Sequence, residues 1–241
     1  MSDRPESVVL LHGFGGTSRA WDAVLRYLPA ERYRPIALDL PGHGDQADAA
    51  RPISFDGCVA SVLERAPKRF VLAGYSMGGR IALHIARTAP ERIERLVLIS
   101  TTAGIDDPHE RTRRSRADHR LADEIDKGSI EDFATRWRSK PMFAEDPPEV
   151  DALARADHSR NRPDGVAAAL RGVGAGEMRP LWERLAEYQM PVTVLAGRRD
   201  RKYVRVSERM VGLMPDALLQ VSAGGHCLLL ENPRVAAKAI T

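Results

Sequence analysis

The segment Phe70-Val71-Leu72-Ala73-Gly74-Tyr75-Ser76-Met77-Gly78-Gly79 joins a predicted strand to a predicted helix. Its apolar start is typical of a buried strand. Gly74, Ser76 and Gly78 then form the G-x-S-x-G pattern of a nucleophile elbow, a sharp turn that presents a serine at the carboxyl edge of a sheet. Glycines two positions before and after the serine let the strand and helix backbones approach each other. The alternative is a serine that caps a helix in an ordinary turn.

The same alternation of strand and helix continues along the chain. Continuous apolar runs predict strands buried on both faces at residues 8–11, 35–40, 70–73, 96–100, 192–196 and 217–221. Helical patterns follow at residues 18–28, 55–66, 77–88, 204–213 and 233–240. We therefore predict an α/β fold with a mostly parallel, doubly wound sheet.

The alternation stops between residues 101 and 190, where no strand is predicted. Helical patterns there cover residues 110–126, 130–138, 149–158, 163–171 and 181–188. We interpret residues 101–190 as a helical cap inserted into a core formed by residues 1–100 and 191–241.

An elbow serine needs a histidine that takes its proton. Among seven histidines, His226 is the best candidate because it follows the last strand and two glycines, at the same sheet edge as Ser76. The carboxylate that orients it is expected after the preceding strand, where Asp200 stands. The alternative role for Asp200 is the N-cap of the next helix.

A glycine-rich loop follows the first strand as Leu11-His12-Gly13-Phe14-Gly15-Gly16. The backbone N–H of Phe14 could pair with that of Met77 to form an oxyanion hole. We expect His12 and His43 to brace loops rather than to act in catalysis.

The charge distribution favours a small acidic substrate. The chain of 241 residues has 36 Lys plus Arg against 33 Asp plus Glu, a net charge of +3, so a nucleic-acid or membrane partner is not indicated. Thirteen arginines nevertheless fall within residues 101–190, and Arg80 lies one turn beyond Ser76. Arginine binds carboxylates bidentately, so we expect Arg80 and Arg114 to contact substrate. The alternative for Arg80 is a bracing contact with an acidic side chain of the cap.

No cofactor or metal is predicted. Cys58 and Cys227 are far apart and lack metal-ligand spacing, which excludes a disulfide framework and favours a reducing compartment. The glycines of segment 172–176 follow a helical pattern rather than a strand, which argues against a dinucleotide loop. The first apolar run, residues 8–11, is too short for a secretion signal, so we expect a cytoplasmic protein. The sequence does not indicate an oligomeric state.

Along its whole length the chain resembles the α/β-hydrolase superfamily, whose triads follow the order Ser, Asp, His. Within it, the chain is similar to the 2-succinyl-6-hydroxy-2,4-cyclohexadiene-1-carboxylate synthases of menaquinone biosynthesis. The closer resemblance depends on residues 74–80, 110–118, Phe133, Trp137, 140–143, 161–165, 170–172 and 181–182.

This resemblance implies a triad of Ser76, Asp200 and His226. It also implies that the acidic substrate is contacted by Tyr75, Arg80, Arg114 and Trp137. Where the family usually has another carboxylate-binding arginine, this chain has His158, with Arg155 and Arg160 nearby. We therefore add His158 and Arg160 to the expected substrate contacts.

The preferred interpretation is a cofactor-free lyase. Ser76, activated by His226, would remove a ring proton and expel pyruvate, while the Phe14 and Met77 amides stabilise developing charge. The same triad would also serve a carboxylesterase or lactonase acting through an acyl-enzyme. A third interpretation, a binding module on an inactive hydrolase fold, is disfavoured by the intact set of Ser, Asp and His.

Overall fold

The computed structural model describes residues 5–241, so residues 1–4 of the predicted core lie outside the described part. Six parallel strands form one sheet in the order β2-β1-β3-β4-β5-β6. Their bounds are β1 Glu6–Leu11, β2 Tyr33–Leu38, β3 Phe70–Tyr75, β4 Ile93–Ile99, β5 Val192–Gly197 and β6 Ala217–Ser222. Each strand overlaps one predicted apolar run, and the predicted α/β fold is confirmed.

The order of the strands places the candidate site. The chain reverses its direction of winding between β1 and β3, and ligands of open α/β sheets bind beyond the carboxyl ends of strands at such a point. Leu11, which ends β1, is in register with Gly74 of β3. The loop that contains Phe14 and the turn that contains Ser76 therefore leave the sheet side by side.

The helices that flank the sheet mostly match their predictions. They are α1 Asp22–Leu25, α2 Phe55–Arg65, α3 Met77–Thr88, α8 Arg201–Val211, α9 Leu228–Glu231 and α10 Pro233–Ile240. The prediction of one helix over residues 18–28 is wrong: a 3-10 turn at Ser18–Trp21 leads into the single turn α1. The N–H groups of Tyr27 and Leu28 bond three residues back, because the chain tightens into a turn before Pro29.

Four longer helices lie between β4 and β5, namely α4 Pro108–Lys127, α5 Ile130–Arg138, α6 Pro148–His158 and α7 Pro163–Val173. Three of them, α4, α5 and α7, share an apolar cluster formed by Ala122, Ile125, Phe133, Val166, Ala167 and Leu170, whereas Val150 of α6 packs with Phe143 and Cys227. This arrangement supports a helical cap, whose limits at residues 101 and 190 stay a prediction.

Trp182–Glu187 is a 3-10 helix rather than the predicted α-helix. Trp182, Leu185 and Tyr188 are all buried. This spacing of three residues places the side chains on one side of a 3-10 helix, where i and i+3 eclipse. Burial of that row therefore favours the tighter helix.

Two buried histidines brace the loops after β1 and β2, as expected. His12 Nε2 accepts the N–H of Leu40 at 3.0 Å, and His43 Nε2 accepts the N–H of Gly15 at 3.2 Å. Both contacts require a neutral ring. Burial lowers the pKa of His12 to about 4 and that of His43 to about 3.

We expect the free energy of unfolding to fall as the pH decreases from about 6.5 towards 4, because the unfolded chain then binds protons that His12 and His43 exclude when folded. Each unit of pKa difference corresponds to about 1.4 kcal/mol. Urea unfolding across this pH range measures the slope. His43→Gln, whose amide oxygen can still accept from Gly15, should flatten it, whereas His109→Gln on the exposed face of α4 should not. An identical slope in all three proteins would contradict this origin.

The turn between β3 and α3 is packed as the elbow pattern requires. A side chain at Gly74 would place its Cβ 2.5 Å from the carbonyl oxygen of Gly78, and one at Gly78 would collide with the carbonyl oxygen of Leu11. Ser76 has φ 52° and ψ −109°, in the left-handed region that L-residues rarely adopt. The serine is therefore held in a strained conformation by close backbone packing.

Gly78→Ala should destabilise the protein by about 1–3 kcal/mol or more, since the obstructing atoms belong to the backbone and cannot rotate away. Gly212→Ala is the matched control, because Gly212 has φ −64° and no atom within 3.4 Å of an added Cβ. We expect the control to be neutral or stabilising by about 0.4–1 kcal/mol. Urea unfolding compares the two, and equal effects would contradict the packing constraint.

Candidate active site

The structure brings Ser76, Asp200 and His226 into one hydrogen-bonded chain. They follow β3, β5 and β6 respectively, and so meet at one edge of the sheet. His226 Nδ1 donates to Asp200 Oδ2 at 2.6 Å, and His226 Nε2 lies 3.1 Å from Ser76 Oγ. A proton held at Nδ1 by the carboxylate leaves Nε2 to accept from the serine hydroxyl. The arrangement can activate an oxygen nucleophile or base.

Asp200 also caps the helix that follows it. Its second oxygen, Oδ1, accepts the N–H of Tyr203 at 3.5 Å, in the first turn of α8. The two alternatives for this residue are thus compatible, because each carboxylate oxygen has its own partner. The cap contact fixes the carboxylate relative to the imidazole.

Two backbone N–H groups beside Ser76 are available to a ligand. Met77 is the first residue of α3, so its N–H has no partner within the helix. Within residues 5–241, neither this N–H nor that of Phe14 donates a hydrogen bond. The two amides are the predicted oxyanion donors, and the dipole of α3 adds a positive potential there.

The loop that carries Phe14 is held from the cap side. The carbonyl oxygen of Gly15 accepts from His158 Nδ1 at 2.6 Å and from Asn161 Nδ2 at 2.7 Å. Asp157 accepts the N–H of Thr17 at 2.9 Å and its hydroxyl at 2.5 Å. The end of α6 and the turn after it therefore fix the backbone of the loop that carries Phe14, and the cap contributes to the geometry around Ser76.

A cavity of about 580 Å³ opens above Ser76 and His226. Its lining includes six of the other predicted contacts, namely Phe14, Tyr75, Arg80, Arg114, Trp137 and His158. Met77 and Arg160 are not part of the lining, and the expected substrate contact of Arg160 stays a prediction. The turn after α6 directs the Arg160 side chain to solvent, where it is 57% exposed with Asp157 as its charged neighbour at 4.0 Å.

Arg80 is a buried cation in the cavity wall. Its Nη1 donates to the carbonyl oxygen of Val173 in α7 at 2.8 Å. It does brace the cap, but through a carbonyl rather than the acidic side chain considered above, and it forms no ion pair among the described residues. Burial lowers the pKa of Arg80 to about 10, so the guanidinium keeps its charge at neutral pH.

Arg114 and Trp137 line the cavity from the cap. Arg114 Nε donates to Asp118 Oδ1 at 2.8 Å, while the Arg114 side chain is 40% exposed. The Trp137 ring lies edge-on to Phe14, with centroids 4.7 Å apart. Tyr75 packs beside His226 at 5.5 Å between ring centroids. Aromatic walls and guanidinium groups therefore surround the reactive serine.

Several cavity residues escape sequence reasoning. Tyr203 and Phe143 pack on the His226 ring, with centroids 4.8 and 5.9 Å away. Lys140 and Arg138 also line the cavity. Spacing offered a weak signal for two of them, since Tyr203 lies three residues after Asp200, and Lys140 lies three residues after Trp137.

The described residues contain neither a candidate metal site nor a candidate membrane-spanning helix. In residues 5–241, no group of three or more His, Cys, Asp or Glu is arranged to hold a metal ion. Over the same range, none of the helices combines the length and apolar character needed to cross a membrane.

Comparison with known proteins supports the geometric assignment of the fold. A putative 2-succinyl-6-hydroxy-2,4-cyclohexadiene-1-carboxylate synthase of Bacillus subtilis (strain 168) is 32% identical, covering 98% of this chain and 89% of the relative. The corresponding synthase of Enterobacter sp. (strain 638) is 30% identical over 97% of this chain and 89% of its own length. The solved structure of MenH from S. aureus superposes with a TM-score of 0.90 at 32% identity, covering 98% and 91% of the two chains.

The chain also matches the model of a whole protein family. The sequence model described as "Alpha/beta hydrolase family" matches residues 8–239, which include β3 and α3 on either side of the elbow and the helices α4 to α7. Together with the strained serine turn and the parallel sheet, this match assigns the protein: the chain belongs to the alpha/beta hydrolase family.

Proposed function

We propose that the protein is a lyase that eliminates pyruvate from a succinylated enolpyruvyl cyclohexene carboxylate and so forms 2-succinyl-6-hydroxy-2,4-cyclohexadiene-1-carboxylate. The observation that carries this proposal is the cavity, in which the hydrogen-bonded Ser76 and His226 face the buried, unpaired charge of Arg80. Similarity to relatives named as synthases of this product supports the same substrate class.

The site residues divide the proposed reaction among them. The product has a ring double bond at the carbon that bears the succinyl group, so the proton removed there is adjacent to a ketone. Ser76 Oγ takes this proton as its own proton passes to His226 Nε2, and Asp200 stabilises the resulting imidazolium. The electrons of the broken C–H bond form a double bond at the succinyl-bearing carbon, the existing ring double bond shifts by one position, and the C–O bond to the enolpyruvyl group breaks with its electron pair on oxygen. The released enolate takes up a proton and becomes pyruvate.

Proton removal places negative charge on the ketone oxygen, and the main free-energy cost of this step is the formation of that charge. The free N–H groups of Phe14 and Met77 are placed to donate to that oxygen, and preorganised donors of this kind contribute about 2.7–4 kcal/mol each in acyl-transfer enzymes.

The proposed partner is a small acidic molecule rather than a macromolecule. We also propose the cytoplasm as the working compartment. Cys58 and Cys227 are both free and buried, which suits a reducing environment.

If Ser76, Asp200 and His226 act as one unit, the rate losses of their substitutions should not multiply. Ser76→Ala should reduce pyruvate release to within about tenfold of the triple variant Ser76→Ala, Asp200→Asn, His226→Gln. Coupled assay of pyruvate measures the rates. Ser207→Ala is the matched control, because Ser207 is a buried serine in α8 outside the cavity. We expect full activity from that control, and multiplicative losses among the three residues would contradict a relay.

Substitution of Arg80 distinguishes the proposed lyase from an esterase. A charge-assisted bond to a substrate carboxylate is worth about 1.5–3 kcal/mol, so Arg80→Ala should lower kcat/KM for pyruvate elimination by about 10–150-fold. Hydrolysis of p-nitrophenyl acetate, which has no carboxylate, should change only a few-fold. Arg80→Lys should restore little, because an ammonium cannot reproduce the planar fork.

The control for this experiment is Arg92→Ala. Arg92 donates to backbone carbonyls of residues 63–68 and lies outside the cavity, so it tests the loss of an arginine that only braces the fold. Equal losses on both substrates in Arg80→Ala would contradict a carboxylate contact and favour the carboxylesterase or lactonase.

A further inference from the structure

The cavity holds a group of cations with few counter-charges. Arg80 has no ion-pair partner among residues 5–241, and Arg114 has one, Asp118. Lys140 is half-buried, and its Nζ lies 4.6 Å above the centre of the Trp137 ring. Among the described residues no carboxylate pairs with this Nζ. The three cations, which we term the cationic wall, thus face the cavity with one carboxylate between them.

Two other arginines that line the cavity are paired with carboxylates. Arg138 also lines the cavity, but Asp146 and Asp151 bind it at 2.6 and 2.7 Å. Arg199 at the cavity edge pairs with Glu231. The unpaired Lys140 differs from these, because burial of a cation without a partner costs free energy unless a ligand neutralises it.

His158 cannot supply the missing cationic contact. Its Nδ1 donates to the carbonyl oxygen of Gly15, so in the neutral ring the lone pair lies on Nε2. Burial lowers the pKa of His158 to about 4, so the ring is neutral at pH 7. A lone pair repels a carboxylate but accepts a hydrogen bond from a hydroxyl. His158 is therefore suited to the ring hydroxyl of the proposed substrate.

We propose that Lys140 is a specificity-determining residue that binds a carboxylate of the substrate, as the third member of the cationic wall beside Arg80 and Arg114. This inference depends on the proposed function, because the proposed substrate carries three carboxylates, on the ring, the succinyl arm and the enolpyruvyl group. One cation is then available for each carboxylate.

The surroundings of Lys140 prepare it for this role. Its Nζ lies over the face of the Trp137 ring, and this cation–π contact limits the positions open to the ammonium group. Burial, and then the nearby charge of Arg114, lower the pKa of Lys140 below its ordinary value. A bound carboxylate would offset both effects, so part of the cost of the buried charge is recovered when substrate binds.

The first experiment compares steady-state kinetics of pyruvate release. Lys140→Met keeps an unbranched chain on Trp137 but removes the charge, and should raise KM by about 10-fold or more while kcat changes by less than about threefold. Lys140→Arg keeps a cation and should stay within about fivefold of the original KM. Lys127→Met, the same change at an exposed lysine that ends α4 outside the cavity, should have no effect.

The second experiment does not depend on turnover. Propane-1,2,3-tricarboxylate serves as a probe with three carboxylates, and its dissociation constant is measured by isothermal titration calorimetry. We expect Lys140→Met to weaken binding by about 10-fold, with Lys140→Arg and Lys127→Met close to the original protein.

The two experiments distinguish the two proposals. If Lys140→Met leaves both KM and probe affinity unchanged, or if Lys140→Arg is as impaired as Lys140→Met, the role of Lys140 as a carboxylate ligand is overturned. If the original protein binds the probe through Lys140 but releases no pyruvate, the lyase is contradicted, while Lys140 is supported as an anion ligand.

Discussion

The close backbone contact between Gly74, Gly78 and Leu11 is the constraint on which the site depends. It draws the start of α3 under the end of β3, and so forces Ser76 to φ 52°. Such a conformation costs about 1–3 kcal/mol and persists only when its surroundings hold it. Two contacts do so: the Ser76 N–H donates to Ile99, and Thr101 Oγ1 donates to the Ser76 carbonyl. The same approach brings the loop after β1 beside the serine.

A second constraint links this loop to substrate recognition. Gly15 and Thr17 are bound by Asp157, His158 and Asn161, which all belong to the end of α6 or the turn after it. The amide proposed to stabilise charge is thus positioned by the same cap in which α4 carries Arg114 and α5 leads to Lys140, two members of the cationic wall. A substitution in α6 can therefore alter the rate of the chemical step as well as binding. His158 gives the loop a buried hydrogen-bond donor at the end of α6.

Local pattern was sufficient to predict the sheet and to bring Ser76, Asp200 and His226 together. Strands buried on both faces are apolar throughout, and each of Ser76, Asp200 and His226 follows a strand end, so topology alone brings them to one edge. The wrong predictions concern segments whose secondary structure is determined by tertiary contacts. Trp182–Glu187 tightens into a 3-10 helix that buries Trp182 and Leu185 on one side. Lys140 could not be singled out, because a sequence shows a charge but not whether a carboxylate lies beside it.

The charge balance of the cavity also bears on product release. In the free protein the positive charges of Arg80, Arg114 and Lys140 repel one another. A ligand with three carboxylates neutralises all three charges while it is held at several points. The proposed elimination divides that ligand into one product with two carboxylates and another with one. Each product then has fewer contacts, and loses the advantage of simultaneous attachment that the intact substrate has. A cavity that matches the undivided trianion therefore favours substrate over either product, so cleavage of the C–O bond itself weakens retention of what is formed.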